Sequence, residues 1–397
     1  MSIALEMFRS MPRYLAARSV GRKMPGVLTG AASTLRLVDV TPPDNPRGGW
    51  VRIAPRVAGI CGSDLSAIAG RTSLYFSALV SMPFVPGHEV VGEVLDDADG
   101  FHAGDRVVID PVLSCRARGI QPPCDPCERG RHQLCERVTA GHVSAGLQTG
   151  YCADTGGGWS EVFLAHTTQL VPVPDHLSDH AAVMVEPAAC AIKAVRRARV
   201  SDNASVLIVG AGTVGLLTLA ALRRSGAAGT VMVVAKHRHQ AELARAWGAD
   251  EVVQTDDAIA AVRRATQAFK LHPMGSPPFL LGGADVTFEC AGSRAALDLA
   301  LRSTKGAGKV VLASMPATTD LSPVWFRELE VVGSYTGAGA FEAATEFCAE
   351  TNVQSLVSAT YPLTRWREAI EHALSSGRLG AVKVAFDVNT DGKRRAS

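Results

Sequence analysis

Two rhythms of apolar residues meet near residue 180. Before that point, short β-branched runs bounded by Gly, Pro and Asp predict strands at 35–40, 50–60, 90–95 and 105–110, with more strand over 161–173. Residues 111–160 are irregular, rich in Cys, Gly and Pro. An Ala-rich stretch at 179–197 predicts a helix with Ser178 or Asp179 as its N-cap. Beyond it, strands at 205–209, 230–235, 251–254, 284–289 and 309–313 alternate with helices at 213–225, 239–247, 257–269 and 293–301. Strands separated by helices of about 10–15 residues make βαβ units and a parallel sheet, so the expected class is α/β. The tail returns to mixed character, with a helix at 365–375 and a strand at 383–387.

Three stretches break these rhythms. LHPMGSPPFLLGG, residues 271–283, carries the Pro and Gly of a loop insertion. The first 26 residues lack the unbroken apolar core of a secretory signal and read as an irregular tail before the first strand. They are Arg-rich with one acid, Glu6, a composition that transit peptides share. Residues 203–222 are uncharged over a transmembrane-like length, but Gly210, Gly212 and Gly215 mark them as a buried strand, a turn and a helix.

Composition narrows the class. The 397 residues, 47% hydrophobic and 20% charged, describe an ordinary globular protein of two or three domains. Coiled-coil, collagen-like and wholly disordered chains are excluded. Forty basic against 38 acidic residues leave a net charge of +2, which gives no footprint for nucleic acid or a membrane surface. The nine cysteines are an odd number, and four of them crowd into 115–135. That distribution argues against a disulfide scaffold and for a cytoplasmic protein.

Val206–Val209 runs straight into Gly210-Ala211-Gly212-Thr213-Val214-Gly215. G-x-G-x-x-G gains its weight here from context: it follows a predicted strand and opens a predicted helix. Gly210 permits the tight turn, Gly212 lets the backbone approach a pyrophosphate, and Gly215 allows close helix–strand packing. The helix N-terminus at Thr213 and Val214 offers unpaired N–H groups to the phosphates. NAD sites place an acid at the end of the next strand to hold the ribose hydroxyls. This chain reads Ala235-Lys236-His237-Arg238 there. Ala235 removes a repulsion of roughly 4 kcal/mol per charge pair, and Lys236 and Arg238 add attraction for a 2′-phosphate. NADP(H) is therefore favoured over NAD(H).

Two metal signals follow. Cys115, Cys124, Cys127 and Cys135 supply four thiolates in one loop, the set of a closed, structural zinc site. The second signal is dispersed. Cys61 opens Cys61-Gly62-Ser63-Asp64, His88 and Glu89 lie in Gly87-His88-Glu89, and Glu186 precedes Pro187. Cys61, His88 and Glu186 offer the S, N and O ligands of a catalytic zinc with one open position.

Taken together, GICGSD (59–64), PGHEVVGEV (86–94), the four-Cys loop, VEP (185–187), VLIVGAGTVG (206–215) and DVTFECAGS (285–293) resemble the zinc-containing medium-chain dehydrogenase/reductase family, the alcohol, sorbitol and threonine dehydrogenase group. The resemblance covers about residues 30–390. It implies a GroES-like, mostly-β catalytic domain from 1–183 and 337–397, with the structural-zinc loop at 111–140. A Rossmann doubly wound domain at 184–336 is inserted between. It implies two zinc ions per chain, with Cys61 and His88 as catalytic ligands and Glu186 replacing a third Cys. Glu89 is an additional ligand in some states of such enzymes. Ser63 holds the position of the hydroxyl that relays the alcohol proton, and Asp64 orients the ligands or caps a helix. The implied activity is hydride transfer between NADP(H) and an alcohol or carbonyl, in a homo-oligomer, dimer or tetramer. The alternatives are a reductase of C=C or C=N bonds with zinc not directly catalytic, and a non-catalytic NADP(H)-binding sensor. Two departures stand out. Ser66 occupies the place where many relatives end their proton relay with His, and Cys115 and Cys124 are separated by eight residues, RARGIQPP, where the family usually has two. The segment 66–85, with Arg71, Tyr75 and Phe76, is expected to line the substrate cleft.

Overall fold

The computed structural model describes residues 2–21, 24, 26–30, 33–41, 48–226, 229–315 and 317–388. The chain divides into two compact units, Met1–Glu186 with Phe341–Ser397, and Pro187–Ala340.

The first unit is built on a seven-stranded sheet. Its order runs Val357–Tyr361, Lys383–Asp387, Trp50–Gly59, Val90–Val94, Arg106–Ile109, Leu170–Pro172, with Phe163–His166 also paired to Trp50–Gly59. Alternation along these strands sends Val51, Ile53, Val94, Val107 and Ile109 into one core with Trp159 and Phe386. Trp159 stands edge-on to Phe386 at 5.2 Å, and its Nε1 donates to the Gly59 carbonyl at 3.1 Å.

The amino terminus is not an irregular tail. Ser2–Met7 is a strand that pairs antiparallel with Leu35–Val40, and Ile3, Leu5 and Met7 are buried in the same core. Leu5 N donates to Trp159 O and Met7 N to Phe84 O, both at 2.8 Å. The Arg-rich stretch that follows the strand obscured its apolar alternation. The predicted helix at 179–197 is likewise two helices, Asp179–Ala182 and Val185–Ala198, with Ser178 Oγ accepting from Ala181 N at the first.

The second unit holds a six-stranded, all-parallel sheet in the order Glu251–Val253, Thr230–Val234, Ser205–Val209, Ala284–Glu289, Thr304–Leu312, Glu330–Gly333. In sequence order this is 3-2-1-4-5-6, the doubly wound arrangement whose ligands lie at the carboxyl ends of the strands. The 271–283 insertion is not a plain loop. Phe269–Leu271 and Phe279–Leu281 form an antiparallel hairpin, with Pro273, Gly275, Pro277 and Pro278 at its tip and Gly282 and Gly283 after its second strand. Among the described residues, no helix is long and apolar enough to cross a membrane.

Candidate metal and cofactor sites

Cys61 closes the Trp50–Gly59 strand and caps the helix Gly62–Ile68. Asp64, one turn in, reaches back so that its Oδ2 accepts from Cys61 N at 2.9 Å. Its other oxygen lies 3.5 Å from His88 Nδ1. A buried carboxylate behind an imidazole fixes the ring's orientation and raises its basicity as a ligand. The opposite ring nitrogen, Nε2, faces Ser63 Oγ at 3.4 Å. Burial alone would lower the His88 pKa, but Asp64, the Cys61 thiol and the Glu186 carboxylate outweigh it and hold it well above the ordinary range. Asp64 itself is pushed up by burial, against the pull of His88.

Thus Cys61, His88 and Glu186, from three distant parts of the chain, are neighbours. Their ligand atoms do not all close to the spacing seen in the four-thiol loop. Among the described residues, that loop is the one group of three or more Cys, His, Asp or Glu whose donors all lie within 4.8 Å of one another. The donor chemistry nonetheless fits zinc: a thiol, an imidazole and a carboxylate, with the buried His88 backed by Asp64 on its Nδ1 side and its Nε2 turned the other way. Zinc at this set would draw the donors to roughly 3.5 Å from each other.

Glu89 is committed elsewhere. Both of its carboxylate oxygens accept from Lys383 Nζ, at 2.7 and 2.6 Å, and both residues are buried. Burial alone would lower Lys383, but Glu89, with Cys61 and Glu186 nearby, holds it above the ordinary amine range. Sequence reasoning missed Lys383, which opens the strand Lys383–Asp387 ahead of three apolar residues. It also missed Tyr151, whose hydroxyl donates to Asp64 Oδ1 at 3.3 Å and whose ring lies 5.9 Å from that of His88. In the 66–85 segment, Arg71 and Tyr75 are exposed and Tyr75 stands edge-on to Phe76.

The four-cysteine loop is more closely gathered. Cys115 Sγ lies 3.6 Å from both Cys124 Sγ and Cys135 Sγ, and Cys124 Sγ lies 4.0 Å from Cys135 Sγ. Four thiolates around zinc at 2.3 Å stand about 3.8 Å apart, so the set fits the ion. The eight-residue gap does not displace Cys115. Backbone N–H groups of Cys124, Glu136 and Arg137 donate to the sulfurs of Cys115, Cys124 and Cys135 at 3.4–3.5 Å. Burial raises the Cys124 thiol, but the Glu136 and Cys127 N–H groups and the neighbouring thiols bring it down to about 7. None of the nine cysteines forms a disulfide.

In the parallel sheet, Ser205–Val209 ends at Gly210, whose φ of 108° favours glycine. A Cβ on Gly215 would fall 1.8 Å from the Gly210 carbonyl oxygen, so helix Thr213–Ser225 seats against the turn only with glycine there. The space in front of Gly212 is open to 4 Å, leaving the helix N-terminus free to meet a phosphate. Thr230–Val234 lies alongside, and Gly210 N donates to Val234 O. Ala235 is buried beside this turn, while Lys236 and Arg238 are exposed. Arg238 Nε donates to Glu242 Oε1 at 2.7 Å. Glu289 was missed as well. It is fully buried at the end of Ala284–Glu289, and its Oε1 accepts from Ala291 N and Gly292 N at 2.9 Å, fixing the loop against Gly210.

Residues 47–175 match the alcohol dehydrogenase GroES-like domain and residues 213–350 match the zinc-binding dehydrogenase family. L-idonate 5-dehydrogenase of Vitis vinifera is 28% identical over 346 residues, 85% of this chain and 88% of its own. Sorbitol dehydrogenase of Bacillus subtilis (strain 168) is 29% identical over 336 residues, 82% of this chain and 86% of its own. In fold, 2R,3R-butanediol dehydrogenase from Bacillus subtilis superposes with a TM-score of 0.71 at 23% identity, covering 98% of this chain and all of the other.

Proposed function

Because the chain belongs to the zinc-containing medium-chain dehydrogenase/reductase family and is an alcohol oxidoreductase, we propose that it passes a hydride between NADP(H) and the carbinol carbon of a polyol or secondary alcohol. What supports this reading is a buried His88, backed by Asp64 at 3.5 Å, within electrostatic reach of the Cys61 thiol and the Glu186 carboxylate. The names of the relatives, idonate and sorbitol dehydrogenases, support a polyol.

Zinc held by Cys61, His88 and Glu186 supplies Lewis acidity toward the substrate oxygen, and the nicotinamide supplies the hydride acceptor or donor. The rest falls to the chain. Asp64 holds the His88 ring in place, and Ser63 Oγ, 3.4 Å from His88 Nε2, stands where it can accept the alcohol proton. Cys115, Cys124, Cys127 and Cys135 hold a second, structural zinc that orders a loop poor in apolar side chains. Gly210, Gly212, Thr213, Val214 and Gly215 cradle the pyrophosphate. Nine cysteines, none of them in a disulfide, support a cytoplasmic enzyme. Glu330–Gly333, an exposed strand at the sheet's edge, supports a homo-oligomer.

Metal analysis of the purified chain is expected to find two zinc ions per chain. One would leave only one centre standing, and none would remove the scheme. A panel of polyols, ketones, enones and imines, followed by NADPH absorbance, separates alcohol chemistry from reduction of C=C or C=N bonds.

Cofactor choice has its own test. Ala235→Asp places a carboxylate near the 2′-phosphate, and the KM for NADP is expected to rise at least about tenfold with little change for NAD, since a charge pair at 4 Å is worth roughly 4 kcal/mol before salt screening. Equal KM values for both cofactors in the wild type would overturn the NADP assignment.

A further inference from the structure

The eight residues between Cys115 and Cys124 bring one side chain inward. Arg118 is fully buried. Its guanidinium donates to five main-chain carbonyls: Leu113 at 3.3 Å, Ala140 and Val143 at 3.0 Å, Ser144 at 3.2 Å and Gly146 at 2.5 Å. These bonds draw both flanks of the four-cysteine loop around one cation. They engage all three of its nitrogens, but carbonyl dipoles do not neutralise a full charge, and a buried charge without a counter-ion is costly. The neighbouring acid, Asp154, is exposed, and its Oδ2 accepts from Ser144 N at 2.6 Å. Arg118 sits in the turn that carries the first thiol, its backbone N–H donating to the Cys115 carbonyl at 3.2 Å, and the other groups that act on the guanidinium are thiols, that of Cys152 first and then those of Cys135 and Cys115.

Four thiolates around one divalent zinc carry a net charge of −2. We propose that Arg118 is the charge partner of the metal-loaded four-thiolate centre, a positioning residue that couples retention of the metal to closure of the loop. The inference rests on reading Cys115, Cys124, Cys127 and Cys135 as a zinc site. It gives the inserted residues a purpose: they bring a buried cation into the loop that carries the thiols. In the metal-loaded state the guanidinium and the thiolates neutralise each other in part. In the stripped state, with thiols protonated, Arg118 keeps its carbonyl bonds but loses its counter-charge.

The test uses the full chain stripped by chelator and titrated with cobalt(II), whose thiolate-to-metal absorption reports on the four-thiolate centre alone when Cys61 is replaced by Ser. Arg118→Gln keeps hydrogen-bonding capacity without charge and is expected to weaken cobalt binding about tenfold or more, while Arg118→Lys, which keeps the charge, stays within about threefold of the parent. Thermal unfolding of the stripped proteins is expected to differ less between parent and Arg118→Gln than that of the loaded ones. Asp154→Asn, at an exposed position, is expected to leave cobalt affinity unchanged. Equal losses in Arg118→Gln and Arg118→Lys, or an equal drop in unfolding temperature with and without metal, would make Arg118 a plain brace and overturn the inference. A loss in Asp154→Asn matching that in Arg118→Gln would make Asp154 the counter-ion instead. A parent chain with no thiolate-to-cobalt absorption overturns the zinc reading itself, and the inference with it.

Discussion

Replacing Cys61 by Ser is expected to lower alcohol-dependent reduction of the cofactor by about 10³-fold, because a Lewis acid held at the proposed centre would supply several kcal/mol of transition-state stabilisation. The loss should be specific. Cys61 caps the Gly62–Ile68 helix, and a Ser hydroxyl serves as an N-cap at least as well, so circular dichroism should match the wild type. The Gly-rich turn belongs to the other unit, so quenching by NADPH should saturate at the same concentration. Zinc content should fall from two ions per chain to one, with the four-thiol loop keeping its own. Glu186→Ala should fall less far, since a water can take the place of a carboxylate ligand more readily than that of a thiolate. Turnover that survives Cys61→Ser would sink the catalytic role of this centre and favour an enzyme in which zinc stands aside.

The parts of this site that could be read from the sequence are those whose chemistry is local. Gly210 and Gly215 are demanded by a turn and a contact only five residues apart, and the strand before them and helix after them carry opposite periodicities. Four cysteines in 21 residues are close enough in sequence for their gathering to be legible, and the fold brings their sulfurs within 4.8 Å of one another. Asp64 was legible as a cap because the cap lies within one helical turn, and the same geometry aims its second oxygen at His88. What escaped depends on residues brought together by the fold. Lys383 and Glu89 are 294 positions apart, and a Lys that opens a short strand gives no sign of which acid it will meet. Tyr151 lies in an irregular segment with no period to assign it a face. The first strand was hidden because it has only six residues before an Arg-rich helix begins, and the hairpin at 269–281 because its tip carries the breakers and its strands have three residues each. Arg118 looked like one charge among several in an insertion, and only the convergence of five carbonyls distinguishes it from Arg116.

The pairing of Lys383 with Glu89 should dominate the stability of the first unit. Lys383→Met removes the cation and leaves a carboxylate buried at 2% exposure, and such a break costs about 3–5 kcal/mol. The double replacement Lys383→Met with Glu89→Gln removes both charges and is expected to recover most of that loss, because a buried pair contributes little beyond neutralising itself. The comparison belongs in chelator-treated protein, so that altered metal binding does not enter, and in urea, where the midpoint reports stability as long as the slope is unchanged. A coupling of several kcal/mol between the two replacements identifies the pair as the source. Near-zero coupling would mean that the two side chains act separately. The consequence reaches the metal centre. Lys383 holds both oxygens of Glu89, the residue next to His88, and its Nζ also lies 3.4 Å from the Ile60 carbonyl, one residue before Cys61. One ammonium thus ties together the two segments that present Cys61 and His88. Breaking it should loosen both at once, so Lys383→Met should lose zinc from this centre faster than the double variant, in which no unpaired charge pulls the segments apart.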